Sequence, residues 1–267
     1  MTHTTPIAVG CSGWSYRDWE GPVYPSGTRD KLRYMAERVD VLEINSTHYR
    51  PPDPMTAISW LRRTIDLPDF TFTAKLHKDV THKHHVDPEM TAHFRRAFIP
   101  LIEEGRLPHF LAQFSSAFRD EPDRRDHLQR VADAYTSMTG LTLELRHNSW
   151  QASGALRFLD NLGVNVANLD YPAGRDGFNL TQTNVGRHAY LRLHGRNRAA
   201  WTSRDPTAGG RYDYHYQATE IEAIVERARQ LAENALSLTI VANNHAHGNA
   251  VVNARQIKEL LATPEAS

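Results

Sequence analysis

Residues 189–194 read Ala-Tyr-Leu-Arg-Leu-His, and residues 238–243 read Leu-Thr-Ile-Val-Ala-Asn. Both runs are short and mostly apolar, which is typical of strands buried on both faces. Between them, apolar residues recur at steps of three and four, as on one face of a helix; they are Ala218, Ile221, Val225, Ala228 and Ala232. A strand, a helix and a second strand in this order predict a parallel βαβ unit.

The same alternation of apolar runs and helical periodicity continues along the whole chain. The apolar runs are residues 7–11, 41–45, 70–75, 109–114, 141–146, 164–169, 189–194 and 238–243. About eight such units match a single (β/α)₈ TIM-type barrel better than an open doubly wound sheet. We therefore expect residues 1–267 to form one α/β barrel domain. Residues 171–187 show no helical periodicity, so we expect the barrel to be irregular around its sixth and seventh units.

Local signals predict where several helices begin. Asp53 before Pro54, and Asp87 before Pro88, each place a capping side chain before a proline in the first turn. Asn249 precedes the last helical segment, and we expect it to be the N-cap of that helix.

Composition excludes several classes of protein. The 31 Lys and Arg residues balance the 31 Asp and Glu residues, which argues against a protein that coats nucleic acid through bulk charge. A single cysteine, Cys11, excludes an intrachain disulfide and fits a reducing compartment. No apolar run approaches about 18 residues, and the first residues do not predict a signal peptide. We expect a cytoplasmic protein that does not contact membranes.

Polar side chains gather at the C-terminal ends of the predicted strands, where a barrel builds its site from loops. They are Glu43, Asn45, Lys75, Gln113, Glu144, Arg146, His147, Asp170, Arg192, His194, Asn243 and Asn244. Glu43 and Asn45 are two residues apart, so they share one face of a strand, and the same spacing recurs at 144/146 and 192/194. If these faces point into the barrel, the side chains converge at its mouth.

These charges suggest acid/base chemistry on an anion. We expect Glu43 and Glu144 to act as acid and base, and His194 to carry protons near neutral pH. The cations would hold the anion or stabilise developing negative charge; they are Lys75, Arg146 and Arg192. The same charges could instead form a structural ion-pair network that plugs the barrel, and this alternative stays open.

Other residues add candidate binding positions. Arg196 and Arg198, with Asn249 at a helix start, follow the last two strands, where barrels often bind phosphate. The aromatic residues Trp14 and Tyr16 could stack on a sugar or a base, although they could equally pack over the barrel rim.

A metal site is the less favoured interpretation of the same cluster. The acidic and imidazole groups that could bind Mn²⁺, Mg²⁺ or Zn²⁺ are Glu43, Glu144, Asp170 and His194. Neighbouring arginines commonly satisfy such groups instead. The His-rich stretches 81–85 and 245–247 lack the i, i+4 spacing of a zinc peptidase. The sequence identifies no cofactor.

Several stretches resemble the family named domain of unknown function 72, the YecE-like proteins. The matching residues are GCSGWSY (10–16), VLEINSTHYR (41–50), FTFTAK (70–75), LAQF (111–114), LELRHNSW (143–150), YLRLHG (190–195) and NN (243–244). The resemblance implies a TIM-type barrel but supplies no reaction. This chain differs from the family at His48 and Ala242, where an aromatic residue is usual, so the pocket shape is expected to differ there.

Three functions remain open. We expect an enzyme of the hydrolase, lyase or isomerase type, whose partner is a small anionic, phosphorylated or sugar-like molecule. The alternative is a nucleic-acid-binding protein or a metal-dependent phosphodiesterase of the endonuclease type, a class to which the family's barrels are distantly similar. A module that binds a ligand without changing it is the third.

Overall fold

A computed structural model describes residues 5–180, 184–203 and 210–263. Nine parallel strands form one sheet in the order β6-β5-β4-β3-β2-β1-β9-β8-β7. They are β1 (Ile7–Ser12), β2 (Val41–Ile44), β3 (Thr71–Lys75), β4 (His109–Gln113), β5 (Gly140–Glu144), β6 (Asn165–Val166), β7 (Asn168–Asp170), β8 (Ala189–Leu193) and β9 (Leu238–Ala242). The predicted TIM-type α/β fold is confirmed.

The sixth predicted strand is broken in two, and the break is where the barrel nearly closes. β6 pairs only with β5, and β7 pairs only with β8, with Ala167 between the two pieces. The Ala167 N–H still donates to the Leu143 carbonyl at 2.9 Å. No helix occurs among the described residues of 171–187, so the predicted irregularity of this unit is confirmed.

Helices follow most strands and cover the outside of the barrel. They are α1 (Lys31–Ala36), α2 (Pro54–Thr64), α3 (Lys78–Thr81), α4 (Pro88–Glu103), α5 (Pro122–Tyr135), α6 (Ser153–Asn161), α7 (Arg198–Thr202), α8 (Ala218–Glu233) and α9 (Asn249–Ala262). Apolar side chains such as Phe94, Phe98 and Phe110 fill the layer between strands and helices. None of the helices that the structure describes has the length and apolarity needed to cross a bilayer.

The predicted helix starts are right at two positions and wrong at one. The Asp53 carboxylate accepts the Met55 N–H, and the Asp87 carboxylate accepts the Glu89 N–H. Asn249, by contrast, is the first residue of α9, and the N-cap is Gly248 with φ 79°. This left-handed conformation favours glycine, and a Cβ atom at residue 248 would also lie 2.4 Å from Val23 Cγ2.

Removing the cap of α4 should cost a measurable amount of stability. We expect Asp87→Ala to lower the free energy of unfolding by about 1 kcal/mol, because the carboxylate satisfies an otherwise unpaired N–H. Asp87→Asn keeps an acceptor and should change it by only a few tenths of a kcal/mol. Urea denaturation of both variants tests this, and equal losses would show that the side-chain hydrogen bond is not the cause.

Polar side chains occupy much of the inside of the barrel. Paired residues on neighbouring strands face the same side of a sheet, and the register pairs Ser12 with Glu43, Glu43 with Thr73, and Gln113 with Glu144. Arg192 of β8 reaches the same interior, where it contacts both glutamates. The strands therefore carry a buried polar column that leads to the C-terminal mouth of the barrel.

Candidate functional site

Arg192 is the centre of a buried ion-pair network. Its guanidinium donates to Glu43 Oε1 at 2.6 Å and also to Glu144 Oε2. The three side chains are at most 1% exposed. Burial alone would raise the pKa of Glu144, but the charges of Arg192 and Arg146 outweigh it and lower that pKa well below its usual value. Burial opposes the charge of Arg192 too, yet the two carboxylates raise its pKa.

Hydroxyl groups complete the coordination of Glu43. The Ser12 hydroxyl donates to Glu43 Oε1 at 2.7 Å, and the Tyr190 hydroxyl donates to Oε2 at 3.2 Å. Asn45 Nδ2 donates in turn to Ser12 Oγ at 2.5 Å. Both oxygens of this carboxylate therefore have partners, and Asn45 joins the network at its outer end.

Glu144 is held from above by residues nearer the mouth. Arg146 Nε and Gln113 Nε2 each donate to Glu144 Oε1 at 2.7 Å. Lys75 Nζ donates to the Oε1 atom of Gln113. Lys75, Gln113 and Arg146 are half-buried rather than sealed. The amide of Gln113 therefore links the lysine to the carboxylate of Glu144.

Lys75 has an unusual environment for a lysine. Among the residues that the structure describes, no carboxylate lies within 4 Å of its ammonium group. Burial, followed by the positive charge of Arg192, lowers the pKa of Lys75 to about 8. With Lys75, the network holds three cations and two carboxylates, which leaves one positive charge in excess.

His194 joins the network as a neutral group. Its Nδ1 accepts from Asn243 Nδ2 at 3.0 Å, and its Nε2 lies 3.3 Å from Glu144 Oε1. Complete burial lowers the pKa of His194 to about 4. The imidazole therefore does not change charge near neutral pH, contrary to the proton-carrier role expected from the sequence.

Asp170 and Arg196 form a separate cluster. Asp170 pairs in register with Leu193, so its side chain points away from the side on which Arg192 lies. Arg196 donates to both oxygens of Asp170, at 2.9 and 2.7 Å, and to Glu220 of α8 at 2.8 Å. Asp170 ends its strand as expected, but its side chain lies on the outer face, and these carboxylates already occupy the Arg196 guanidinium that was expected to bind an anion.

Two asparagines also lie outside the network. Asn244 Nδ2 donates to the Tyr214 carbonyl and to Asn253 Oδ1, both at 2.8 Å, so it fixes the loop before α8 to α9. Asn249 lies in the first turn of α9, beyond the left-handed Gly248. The expected substrate-binding role of Asn244 and Asn249 is not supported by these positions.

Of the proposed metal ligands, Glu43, Glu144 and His194 lie around Arg192, but Asp170 lies apart. Asp170 faces the helices, and Arg192 holds the carboxylates of Glu43 and Glu144. Within residues 5–180, 184–203 and 210–263, no group of three or more His, Cys, Asp or Glu side chains is arranged to hold a metal ion. The residues therefore do not fit the metal-dependent alternative.

Trp14 and Tyr16 are partly engaged in packing. The Tyr16 ring stacks on His245 with centroids 4.4 Å apart, and its hydroxyl donates to the Ser12 carbonyl at 2.8 Å. Trp14 meets Trp60 edge-on. Both still line a cleft of about 250 Å³ beside Asn45, so a ligand contact at this side of the mouth stays a prediction.

Two members of the network were not among the residues singled out from the sequence. Ser12 ends β1 within the stretch 10–16, and Tyr190 lies two residues before Arg192 on the same face of β8. The two-residue spacing that indicated Arg192 and His194 would have indicated Tyr190 as well.

These features define an α/β barrel protein with a buried charge network at the C-terminal ends of its strands. The family described as "Protein of unknown function DUF72" matches residues 8–267, and the chain belongs to this family. It is also 24% identical over 275 residues to the UPF0759 protein YunF of Bacillus subtilis, covering 96% of this chain and 94% of that protein.

Solved structures agree with the fold. A DUF72 family protein of Thermotoga maritima is 33% identical, with a TM-score of 0.86, covering 97% of this chain and all of that one. A DUF72 family protein of Enterococcus faecalis is 23% identical, with a TM-score of 0.83 and 97% of each chain covered. These descriptions state no reaction, so the function has to be argued from the site.

Proposed function

We propose that the chain is an enzyme that binds a small anionic molecule, phosphorylated or sugar-like, at the barrel mouth and acts on it by proton transfer. The observation that supports this most is the excess positive charge of the network, which lies on its half-buried outer side. A network that served only to fill the barrel would be expected to balance its charges.

Lys75 is the group best placed to move a proton. With a pKa of about 8, it is mostly protonated at neutral pH but can give up and recover its proton readily. Its ammonium group donates to Gln113, so the amide orients it towards the mouth. We therefore propose that Lys75, rather than Glu43 or Glu144, transfers the proton.

The buried carboxylates then have a positioning role. Glu144, held ionised, fixes the Arg146 guanidinium at 2.7 Å and, through Gln113, the end of Lys75. Arg146 can hold an anion without a change in its own charge, since a guanidinium stays protonated. Arg192 and Glu43 lie deeper and keep Glu144 in place.

A deuterium-exchange screen tests this proposal. Wild-type protein is incubated in D₂O with a panel of aldose and ketose phosphates, and mass spectrometry records products and deuterium uptake. We expect turnover or exchange with at least one compound, and a loss of at least about 100-fold in Lys75→Met. Lys78→Met removes an exposed lysine three residues away and should keep the wild-type rate.

Two outcomes would contradict the proposal. Retention of a compound without any chemical change would favour a ligand-binding module. If no panel compound binds or reacts, the charge network is structural.

A further inference from the structure

Four arginines from different loops line one cleft at the rim of the barrel. The cleft has a volume of about 610 Å³, and Tyr171 and Trp201 contribute to its lining. Its arginines are Arg119 after β4, Arg146 after β5, Arg175 after β7 and Arg211 after β8. Only Arg146 belongs to the network described above.

Three of these guanidinium groups have no acidic partner among the residues that the structure describes. Within the described part of the chain, no carboxylate lies within 4 Å of Arg119, Arg175 or Arg211. Of the described residues that line the cleft, Asp176 alone is acidic. Arginines gathered without carboxylates repel one another, which an anionic ligand would relieve.

A buried histidine adds a donor to the same cleft. His147 is 9% exposed, and its Nδ1 accepts the Ser149 N–H at 3.1 Å. In the neutral imidazole the proton is then on Nε2, which has no hydrogen-bond partner. An unpaired buried donor costs free energy unless a ligand or water accepts from it.

Trp201 holds two of the arginines in position. The Arg146 guanidinium lies 5.4 Å from the centroid of the Trp201 ring, and the Arg211 guanidinium lies 5.8 Å from it. Its Nε1 donates to the Arg211 carbonyl at 2.9 Å. The cleft therefore presents preorganised donors, and its complement is a group with many acceptor oxygens and at least two negative charges.

We propose that this arginine cleft binds a phosphate or diphosphate group of the substrate, while the rest of the molecule reaches Lys75 past Arg146. This inference rests on the proposed function and names its substrate class. The volume suits a small molecule, and the balanced charge of the chain does not favour a long polyanion. Phosphodiesters of a nucleic acid share the same chemistry, so the test separates the two sources.

Calorimetry with inorganic pyrophosphate and with a short single-stranded DNA provides the test. The double variant Arg175→Gln/Arg211→Gln should bind pyrophosphate at least about 100-fold more weakly, because each charge-assisted hydrogen bond contributes substantially. The control Arg62→Gln/Arg157→Gln removes the same charge from exposed helical positions of α2 and α6 and should bind as wild type does.

The outcomes separate this inference from the proposed function. Pyrophosphate binding that Lys75→Met retains and the double variant loses supports the cleft, even if no compound is turned over. Equal affinity of the double variant and its control overturns it, as does a failure of the wild type to bind pyrophosphate. Tighter binding of DNA than of pyrophosphate, with affinity falling steeply as salt rises, would also overturn it in favour of nucleic acid.

Discussion

Replacing Arg192 with methionine is expected to lower the free energy of unfolding by about 3–5 kcal/mol. The guanidinium joins Glu43 and Glu144 inside the barrel, and all three side chains are buried. Its loss leaves two carboxylates out of water without their shared cation. Urea denaturation at pH 7, followed by tryptophan fluorescence, measures the change.

Two further variants make that result specific. Arg196→Met breaks the pairs to Asp170 and Glu220, but the Arg196 side chain is 38% exposed, so we expect a cost of about 1 kcal/mol or less. The triple variant Arg192→Met/Glu43→Gln/Glu144→Gln removes all three charges and should recover much of the loss. A cost at Arg192 no larger than that at Arg196 would show that the network does not hold the barrel together.

Stability should fall steeply as the pH drops from about 6.5 towards 4. Burial lowers the pKa of both His109 and His194 to about 4, whereas an unfolded histidine titrates near 6.5. Between these values the unfolded chain binds more protons than the folded one, so acid favours unfolding. Each histidine contributes a slope of roughly 1.4 kcal/mol per pH unit across this window.

The slope can be assigned by substitution. His109→Asn should reduce the pH dependence of the free energy of unfolding by close to one proton between pH 5 and 6, whatever it does to stability itself. His215→Asn, at an exposed position, is the control for the substitution itself. Glu144 affects stability at a lower pH. A carboxylate with a depressed pKa loses its contribution to the free energy of unfolding only as the pH falls below about 4.3. Parallel curves for His109→Asn and wild type would contradict the assignment.

The fold was predictable because its signal is local. Each strand is a short run rich in apolar residues, and this pattern is visible in five or six residues although polar side chains interrupt it on the inward face. Capping by Asp87 is equally local. The error at Asn249 arose because the chain turns through a left-handed Gly248 before α9, so the glycine and not the asparagine is the N-cap.

The site was predictable only in part. Spacing by two placed Glu43, Glu144 and Arg192 on inward faces, since alternation along a strand is fixed by geometry. Asp170 was expected at the mouth only because it follows the sixth apolar run; its register with Leu193 places its side chain on the outer face, towards the helices. The arginine cleft had no sequence signature at all, because its members come from four loops without a common spacing.

The interruption between β6 and β7 affects where the barrel can open locally. β6 and β7, which complete the barrel, are two and three residues long, whereas the neighbouring strand β8 has five residues. Main-chain hydrogen bonds between strands are fewest at these two short strands, so local opening of the barrel would begin here. Arg192 lies on β8, next to β7. Its ion pairs with Glu43 and Glu144 connect β8 to β2 and β5 across the barrel interior. The buried ion pairs thus connect opposite sides of the barrel where few main-chain hydrogen bonds hold the strands together.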